Sequence, residues 1–141
     1  MMIVIDVNVI LSALIKDSTT RAILIKSGQE FCFPEISLQK IRKYQDLILK
    51  KSGLSEFEFL VIFHNILRFI RIIPNEELLF NWNEAKQIME HIDPEDVPFI
   101  AVALCYEDSI IWSDDTHFDK QTKIKNLKTG EIVNLFYDQN E

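Results

Sequence analysis

Three acidic residues directly adjoin strongly apolar segments of this sequence. Asp6 interrupts the apolar start MIVIDVNVI, Asp96 belongs to the acidic run IDPEDVPF, and Asp115 follows the apolar run in IIWSDD. An unpaired buried carboxylate costs several kcal/mol, so it is usually paired, protonated or bound to metal. Carboxylates that share a cleft raise one another's pKa, and Mg²⁺ or Mn²⁺, which prefer oxygen ligands, relieve that repulsion. These residues indicate a metal site whose ion could activate water for phosphodiester hydrolysis.

The same acids also have purely structural interpretations. Asp is a favoured helix N-cap, so Asp96 could simply begin a helix. Asp114 and Asp115 could be turn residues after a strand, and for Asp114 this is the better interpretation. Asp6 is the hardest to explain in this way, because apolar runs adjoin it on both sides. Asp93 and Asp114 are therefore secondary candidates for metal ligands beside Asp6, Asp96 and Asp115.

The elements that must position these acids are short apolar strands alternating with helices. Strands are predicted at 2–5, 31–33, 71–74, 109–113 and 131–136. Helices are predicted at 8–15, 19–26, 36–51, 76–90 and 96–107, with a turn at 16–18. A further helix is predicted to begin at a capping box formed by Ser55 and Glu58. This alternation predicts an α/β three-layer sandwich, with a five-stranded parallel sheet flanked by helices. Ligands bind beyond the carboxyl ends of such strands, where Asp6 and Asp115 fall.

Length and composition favour one folded domain over residues 1–141. The chain is 48% hydrophobic, which excludes a disordered or collagen-like protein. No apolar stretch approaches the ~20 residues that span a bilayer, and no basic region precedes the apolar N-terminus, so neither a membrane span nor a signal peptide is predicted. Cys32 and Cys105 have no metal-type spacing, and reduced cysteines are typical of a cytoplasmic protein.

Charge is unevenly distributed along the chain. The net charge of −7 argues against a dedicated high-affinity DNA-binding protein. Residues 1–73 hold ten Lys and Arg against seven Asp and Glu, whereas 74–141 hold five against fifteen. Lys40, Arg42 and Lys43 could line a path for an RNA backbone, and a solvated helix face is an equally good interpretation. His117 follows the acids, and for it a solvated turn is the favoured interpretation.

Three motifs, in their order and spacing, resemble the PIN-domain family, most closely its branch of toxins from toxin–antitoxin pairs. They are MIVIDVNVILSAL, DPEDVPFIAVAL and IIWSDDTHF, and the resemblance covers nearly the whole chain. It implies a metal-dependent endoribonuclease that uses Mg²⁺ or Mn²⁺, with Asp6, Asp96 and Asp115 as catalytic metal ligands and Asn8 and Ser113 as supporting polar residues. The partners it implies are an RNA substrate, an antitoxin protein and a second copy of the chain.

The sequence departs from the family pattern at two positions. Val7 stands where the family usually carries a hydroxyl residue. The fourth acid of the pattern would fall at Lys40, or at Gln39 with a shift of one, while Glu35 lies earlier. Glu35 could serve as a metal ligand from its altered position, the site could contain three acids, or the Lys40 ammonium could replace part of a metal's charge.

Two other functions compete with a ribonuclease. A degenerate PIN-like domain could bind a protein or RNA without cleaving it, and Lys40 in place of an acid favours that alternative. A phosphatase of the haloacid-dehalogenase type also has an Asp after its first strand. That chemistry needs a second Asp two residues later, where this chain has Asn8, so the phosphatase is the weaker alternative.

Overall fold

The computed structural model describes residues 1–15 and 18–136 of the 141-residue chain. In this part of the chain the strands are β1 (Met2–Ile5), β2 (Glu30–Pro34), β3 (Ile70–Ile73), β4 (Ser109–Trp112) and β5 (Asn126–Leu127). They form one sheet in the order β3-β2-β1-β4-β5, and every neighbouring pair is parallel. The predicted α/β fold with a five-stranded parallel sheet flanked by helices is confirmed.

Helices connect the strands. The α-helices are α1 (Val7–Ile15), α2 (Thr19–Lys26), α3 (Leu38–Lys43), α4 (Gln45–Ser52), α5 (Glu56–Leu67), α6 (Asn75–Leu78), α7 (Trp82–Met89), α8 (Val97–Leu104) and α9 (Thr129–Phe136). Short 3₁₀ helices span Glu35–Ser37, Leu79–Asn81, Pro94–Asp96 and Thr116–Lys120. None of the helices in the described residues has the length and apolar character needed to cross a membrane.

The centre of the sheet explains why the chain starts with an apolar run. β1 lies between β2 and β4, and all four of its residues are buried. A parallel strand covered on both faces needs side chains that are apolar on both faces. α8 packs against β1, β2 and β4 and has seven buried residues, so the apolar stretch after Asp96 is also part of the core. Asp6 and Asp96 therefore lie at the ends of two core elements.

The prediction of a strand at 131–136 is wrong, because those residues belong to α9. The fifth strand lies earlier and contains only Asn126 and Leu127. The helix is favoured at its start by a distant side chain, since the backbone N–H of Thr129 donates to Oδ1 of Asp114 at 2.8 Å. Glu131 then accepts a hydrogen bond from the backbone N–H of Lys128 at 3.1 Å. These contacts satisfy backbone groups at the start of the helix.

Two helices that were predicted as continuous are interrupted. The segment 36–51 divides at Tyr44, where φ is −96° and ψ is 5°, and α4 then packs against α1. The segment 76–90 divides at Leu79–Asn81, and both α6 and α7 pack against α8. The capping box of Ser55 and Glu58 is confirmed at the start of α5. Residues 16 and 17 of the predicted turn at 16–18 lie outside the described chain.

Candidate active site

The register of β1 and β4 brings two of the acidic segments together. Ile5 pairs with Trp112 at the carboxyl ends of these strands, and the backbone N–H of Asp6 donates to the Trp112 carbonyl at 3.0 Å. The Ser113 hydroxyl donates to Oδ2 of Asp6 at 2.7 Å and accepts a hydrogen bond from the backbone N–H of Asp115 at 3.0 Å. Ser113 therefore connects the two strand-end acids directly.

Asp6 is held at both carboxylate oxygens. Besides the bond from Ser113, Oδ1 of Asp6 accepts a hydrogen bond of 2.7 Å from the backbone N–H of Val7. Asp6 is buried, with 4% of its surface exposed. Desolvation by burial raises the pKa of Asp6, against the opposing effect of the hydrogen bonds from Ser113 and Val7. The carboxylate is thus fixed in place although its ionisation is disfavoured.

Asp96 ends the 3₁₀ helix Pro94–Asp96 that leads into α8. Asp93 begins this short helix, and its Oδ1 accepts a hydrogen bond of 2.9 Å from the backbone N–H of Glu95. Asp96 is buried, and its Oδ2 has no hydrogen-bond partner within the described residues. Burial, reinforced by the charges of Asp93 and Asp6, raises the pKa of Asp96 to about 7. This oxygen is therefore available to a cation.

The acidic cleft is a cavity of about 210 Å³ at this edge of the sheet. Its lining residues are Asp6, Val7, Asn8, Lys40, Tyr44, Asp93, Glu95, Asp96 and Asp115. Asp6, Asp96 and Asp115 thus line one cleft, together with Asp93 and Asn8. Ser113 is buried behind Asp6 rather than at the surface of the cleft.

His117, for which the sequence favours a solvated turn, lies beside the acidic cleft, in contact with three of its acids. Its Nδ1 lies 3.1 Å from Oδ2 of Asp93, 3.4 Å from Oδ2 of Asp96 and 3.4 Å from Oδ1 of Asp115. One ligand atom from each of Asp93, Asp96 and His117 lies within 4.8 Å of the others, close enough to share a metal ion. The only signal in the sequence is that His117 follows Asp115 by two residues.

Lys40 lies in the acidic cleft, at the position where the motif pattern places a fourth acid. Its Nζ is 3.1 Å from Oε2 of Glu95 and 3.5 Å from the Glu95 carbonyl oxygen. The positive charge of Lys40 lowers the pKa of both Asp6 and Asp96, although burial raises these pKa values more strongly. Lys40 therefore neutralises part of the cleft's negative charge.

Glu35 and Asp114, two of the secondary candidates for metal ligands, are not among the described residues that line the acidic cleft. Oε1 of Glu35 accepts a hydrogen bond of 3.3 Å from the backbone N–H of Asn75 at the start of α6. Asp114 accepts hydrogen bonds from both the backbone N–H and the hydroxyl of Thr129, at 2.8 and 2.6 Å. Both carboxylates are engaged at helix starts.

The candidate RNA-binding cations do not share one groove. Lys40 lines the acidic cleft, whereas Arg42 lines a separate groove together with Phe59 and Phe63 of α5. The Lys43 ammonium lies 5.9 Å from the centre of the Tyr44 ring. A larger cavity of about 580 Å³ lies between α2 and α5, and no acid is among the described residues that line it. The acidic cleft is the better site for a metal.

The donor set of the cleft fits a hard divalent cation. Carboxylate oxygens are the ligands that Mg²⁺ and Mn²⁺ prefer, and three or four of them suffice when water completes the coordination. The unpartnered buried oxygen of Asp96 provides an independent observation, because such atoms are normally hydrogen-bonded or bound to an ion. Burial raises the pKa of Asp6 and of Asp96, so a cation beside them would favour their ionised forms.

Comparison with known proteins gives one family match. A family model described as PIN domain matches residues 4–132, which include all the acids of the cleft. No curated protein matches the chain in sequence.

Proposed function

This chain belongs to the PIN-domain family, whose members are typically metal-dependent nucleases, and we propose that it is an endoribonuclease that uses Mg²⁺ or Mn²⁺. The observation that carries the proposal is the acidic cleft, which Asp6, Asp96 and Asp115 line together. The buried Asp96 oxygen without a hydrogen-bond partner supports a cation at that place. Phosphodiester hydrolysis is the chemistry for which such a cation is suited.

Each cleft residue has a distinct part in this proposal. Asp6, Asp96 and Asp115 hold the ion, and Ser113 orients Asp6 through its hydrogen bond to Oδ2. The bound ion supplies Lewis-acid activation of water and stabilises the charge that develops on the phosphate. Lys40 offers a positive charge to the phosphate backbone, while its pairing with Glu95 keeps the ammonium at the edge of the cleft. Asn8 contributes a neutral polar group to the lining.

The substrate and partners follow from the likeness of the acidic motifs to the toxin branch of the family. This likeness supports RNA rather than DNA as the substrate. It also makes an antitoxin protein and a second copy of the chain the partners that we expect.

A second candidate function is an RNA- or protein-binding module that has lost catalysis. The observation that favours it is Lys40, whose ammonium lies in the cleft where the pattern places an acid. A cation at this position opposes the binding of a second divalent ion by charge repulsion. Such a protein would bind RNA in the presence or absence of metal and leave it intact.

A cleavage assay with three metal conditions tests both candidates. End-labelled RNA and single-stranded DNA of the same sequence are incubated with the protein and Mg²⁺, Mn²⁺ or a chelator. We expect cleavage of RNA with either ion and none with the chelator.

Asp6→Asn should reduce cleavage at least ~100-fold, because it removes an anionic ligand from the ion that activates water. It should also keep or raise the melting temperature without metal, because it removes one charge from a repelling cluster.

The matched control is Asp46→Asn, an identical substitution at an exposed position of α4. This variant should cleave as fast as the parent protein. Equal cleavage by Asp6→Asn and the parent would contradict the proposed catalytic site. Binding of RNA without cleavage under any metal condition would support the binding module instead.

A further inference from the structure

The environment of His117 is unusual for a histidine in a turn. Its Nδ1 faces carboxylate oxygens of Asp93, Asp96 and Asp115 at 3.1 to 3.4 Å. Nevertheless neither Nδ1 of His117 nor Oδ2 of Asp96 has a hydrogen-bond partner within the described residues, and both atoms are buried. Each buried polar atom left without a partner costs roughly 1–3 kcal/mol. A single group that binds both atoms would remove both costs.

The spacing of these atoms allows them to share a metal ion. Ligand atoms at ~2.1 Å from an octahedral ion lie about 3.0 Å apart when they are adjacent. The distances from Nδ1 of His117 to Oδ2 of Asp93 and Oδ2 of Asp96 are 3.1 and 3.4 Å. A proton on Nδ1 can point at one of these oxygens only, whereas an ion between the atoms contacts them all.

The surrounding contacts hold these atoms in place. Oδ1 of Asp93 accepts the Glu95 backbone N–H at 2.9 Å, which leaves Oδ2 directed at His117. The backbone N–H of His117 donates to Oδ1 of Asp115 at 2.8 Å, so the histidine is anchored beside the strand-end acid. The side chain of Asp96 is only 10% exposed. This end of the cleft is therefore a built site rather than a loose surface cluster.

We propose that Asp93, Asp96 and His117 bind a divalent ion through two carboxylate oxygens and one imidazole nitrogen, and that His117 makes the cleft prefer Mn²⁺ to Mg²⁺. This inference rests on the proposed function in one respect only: it places the divalent ion in the same cleft, where Asp96 is a ligand in both proposals. Mg²⁺ prefers oxygen ligands and gives up water reluctantly, so an imidazole adds little to its binding. Nitrogen ligands favour the first-row transition ions, whose affinities rise from Mn²⁺ through Co²⁺. The affinity of the cleft should increase in the order Mg²⁺, Mn²⁺, Co²⁺.

The test measures metal binding without reference to cleavage. Metal-free protein is titrated with each ion by calorimetry at one fixed pH, and the Mn²⁺-loaded protein is examined by pulsed electron paramagnetic resonance for coupling to ¹⁴N. The parent protein should show a directly coordinated nitrogen and bind Mn²⁺ at least ~10-fold more tightly than Mg²⁺. His117→Gln should lose the ¹⁴N coupling and at least ~10-fold of the Mn²⁺ affinity, with less than a threefold change for Mg²⁺.

The matched control is His91→Gln, at an exposed histidine outside the cluster of Asp93, Asp96 and His117. It should keep both the coupling and the affinity of the parent. Thermal melts of both variants check that each is folded. Mn²⁺ binding without ¹⁴N coupling in the parent, or coupling that survives in His117→Gln, would overturn the inference.

The outcomes also separate this inference from the proposed function. Cleavage without ¹⁴N coupling leaves the ribonuclease intact and removes His117 from the metal. Coupling without cleavage of any nucleic acid keeps the nitrogen-containing site and rejects the ribonuclease.

Discussion

The Ser113 hydroxyl lies between the two strand-end acids, donating to Oδ2 of Asp6 at 2.7 Å while it accepts the backbone N–H of Asp115 at 3.0 Å. Ser113 is fully buried, so water cannot replace either bond. This buried hydroxyl thus helps to fix the spacing of Asp6 and Asp115, in addition to the pairing of β1 with β4. Such a residue holds carboxylates in place for a metal ion without binding the ion itself.

Ser113→Ala should therefore lower both stability and activity. The substitution leaves a buried carboxylate oxygen and a backbone N–H without partners, at a cost of roughly 1–3 kcal/mol in the free energy of unfolding. Loss of the bond from Ser113 also raises the pKa of Asp6 further, which weakens metal binding at neutral pH. Urea unfolding and metal titration measure the two effects.

Ser109→Ala is the matched control for this prediction. Ser109 lies at the other end of β4, and its hydroxyl donates to the Ala103 carbonyl at 2.8 Å. Its loss should reduce stability but leave metal affinity unchanged. If both variants reduce metal affinity equally, the effect of Ser113→Ala is a general consequence of lower stability.

The metal-free protein should lose stability progressively as the pH rises from about 4 to about 7. Burial and the charges of Asp93 and Asp6 raise the pKa of Asp96 to about 7. A carboxyl with a higher pKa in the folded than in the unfolded state contributes its full stability below the unfolded-state pKa, and that stability is lost as the pH rises to the folded-state pKa, because only the unfolded chain has then released the proton. We expect a loss on the order of 2 kcal/mol between pH 5 and 8, measured by urea unfolding with a chelator present.

Asp96→Asn should remove much of this pH dependence, and Asp46→Asn, at an exposed position, should leave it unchanged. Saturating Mn²⁺ should reverse the trend in the parent, because the ion competes with protons for the same oxygens. A metal-free parent that is equally stable at both pH values would contradict the raised pKa.

The adjacent residues Asp114 and Asp115 should respond differently to the same substitution. Asp114 accepts two hydrogen bonds from Thr129 at the start of α9, so Asp114→Asn, which keeps one accepting oxygen, should cost less than about 1 kcal/mol of stability and leave metal affinity unchanged. Asp115 lines the cleft, and Asp115→Asn should weaken Mn²⁺ binding at least ~10-fold, while its remaining side-chain oxygen can still accept the His117 backbone N–H. Calorimetry and thermal melts on the pair give both readouts. Similar effects of the two variants on metal affinity would reject this division of roles.

The sequence predicted the fold because its strongest signals are local. The apolar runs of β1, β4 and α8 form central core elements. Such runs can be recognised in the sequence because nearly all of their residues are buried and therefore apolar. The strand-end placement of Asp6 and Asp115 followed from the parallel sheet, since ligands bind beyond the carboxyl ends of its strands. The PIN-domain match supports the resemblance that the acidic motifs indicated.

The features that the sequence did not predict depend on distant contacts. α9 is capped by Asp114, fifteen residues away, and β5 has only two residues, which is too short to show a pattern. α8 and β4 lie between Asp96 and His117 in the sequence. The imidazole of His117 therefore comes close to Asp93 and Asp96 only in the folded chain. No local rule of spacing connects these residues.

Substitution of Lys40 tests whether the cleft lacks a carboxylate ligand at this position or uses the Lys40 ammonium to contact phosphate. Its side chain is 22% exposed and its Nζ lies 3.1 Å from Oε2 of Glu95, within the lining of the acidic cleft. Lys40→Glu should tighten Mn²⁺ binding about 10-fold and raise the rate of cleavage, because it removes an opposing charge and adds a hard anionic ligand. RNA binding should weaken at the same time, more at low than at high salt, if Lys40 contacts phosphate.

The control for this prediction is Lys43→Glu, which makes the same change of charge one helical turn away, at an exposed position of α3. A ligand acts at contact distance, whereas a change in net charge acts through the field and is screened by salt over ~10 Å at 0.1 M ionic strength. Calorimetry with Mn²⁺ at low and high salt therefore separates the two effects. Tightening that is specific to Lys40→Glu and persists at high salt identifies position 40 as a place for a ligand. Equal tightening by both variants that disappears with salt shows only an electrostatic field. Unchanged metal affinity, cleavage and RNA binding in Lys40→Glu would mean that Lys40 has no part in the site.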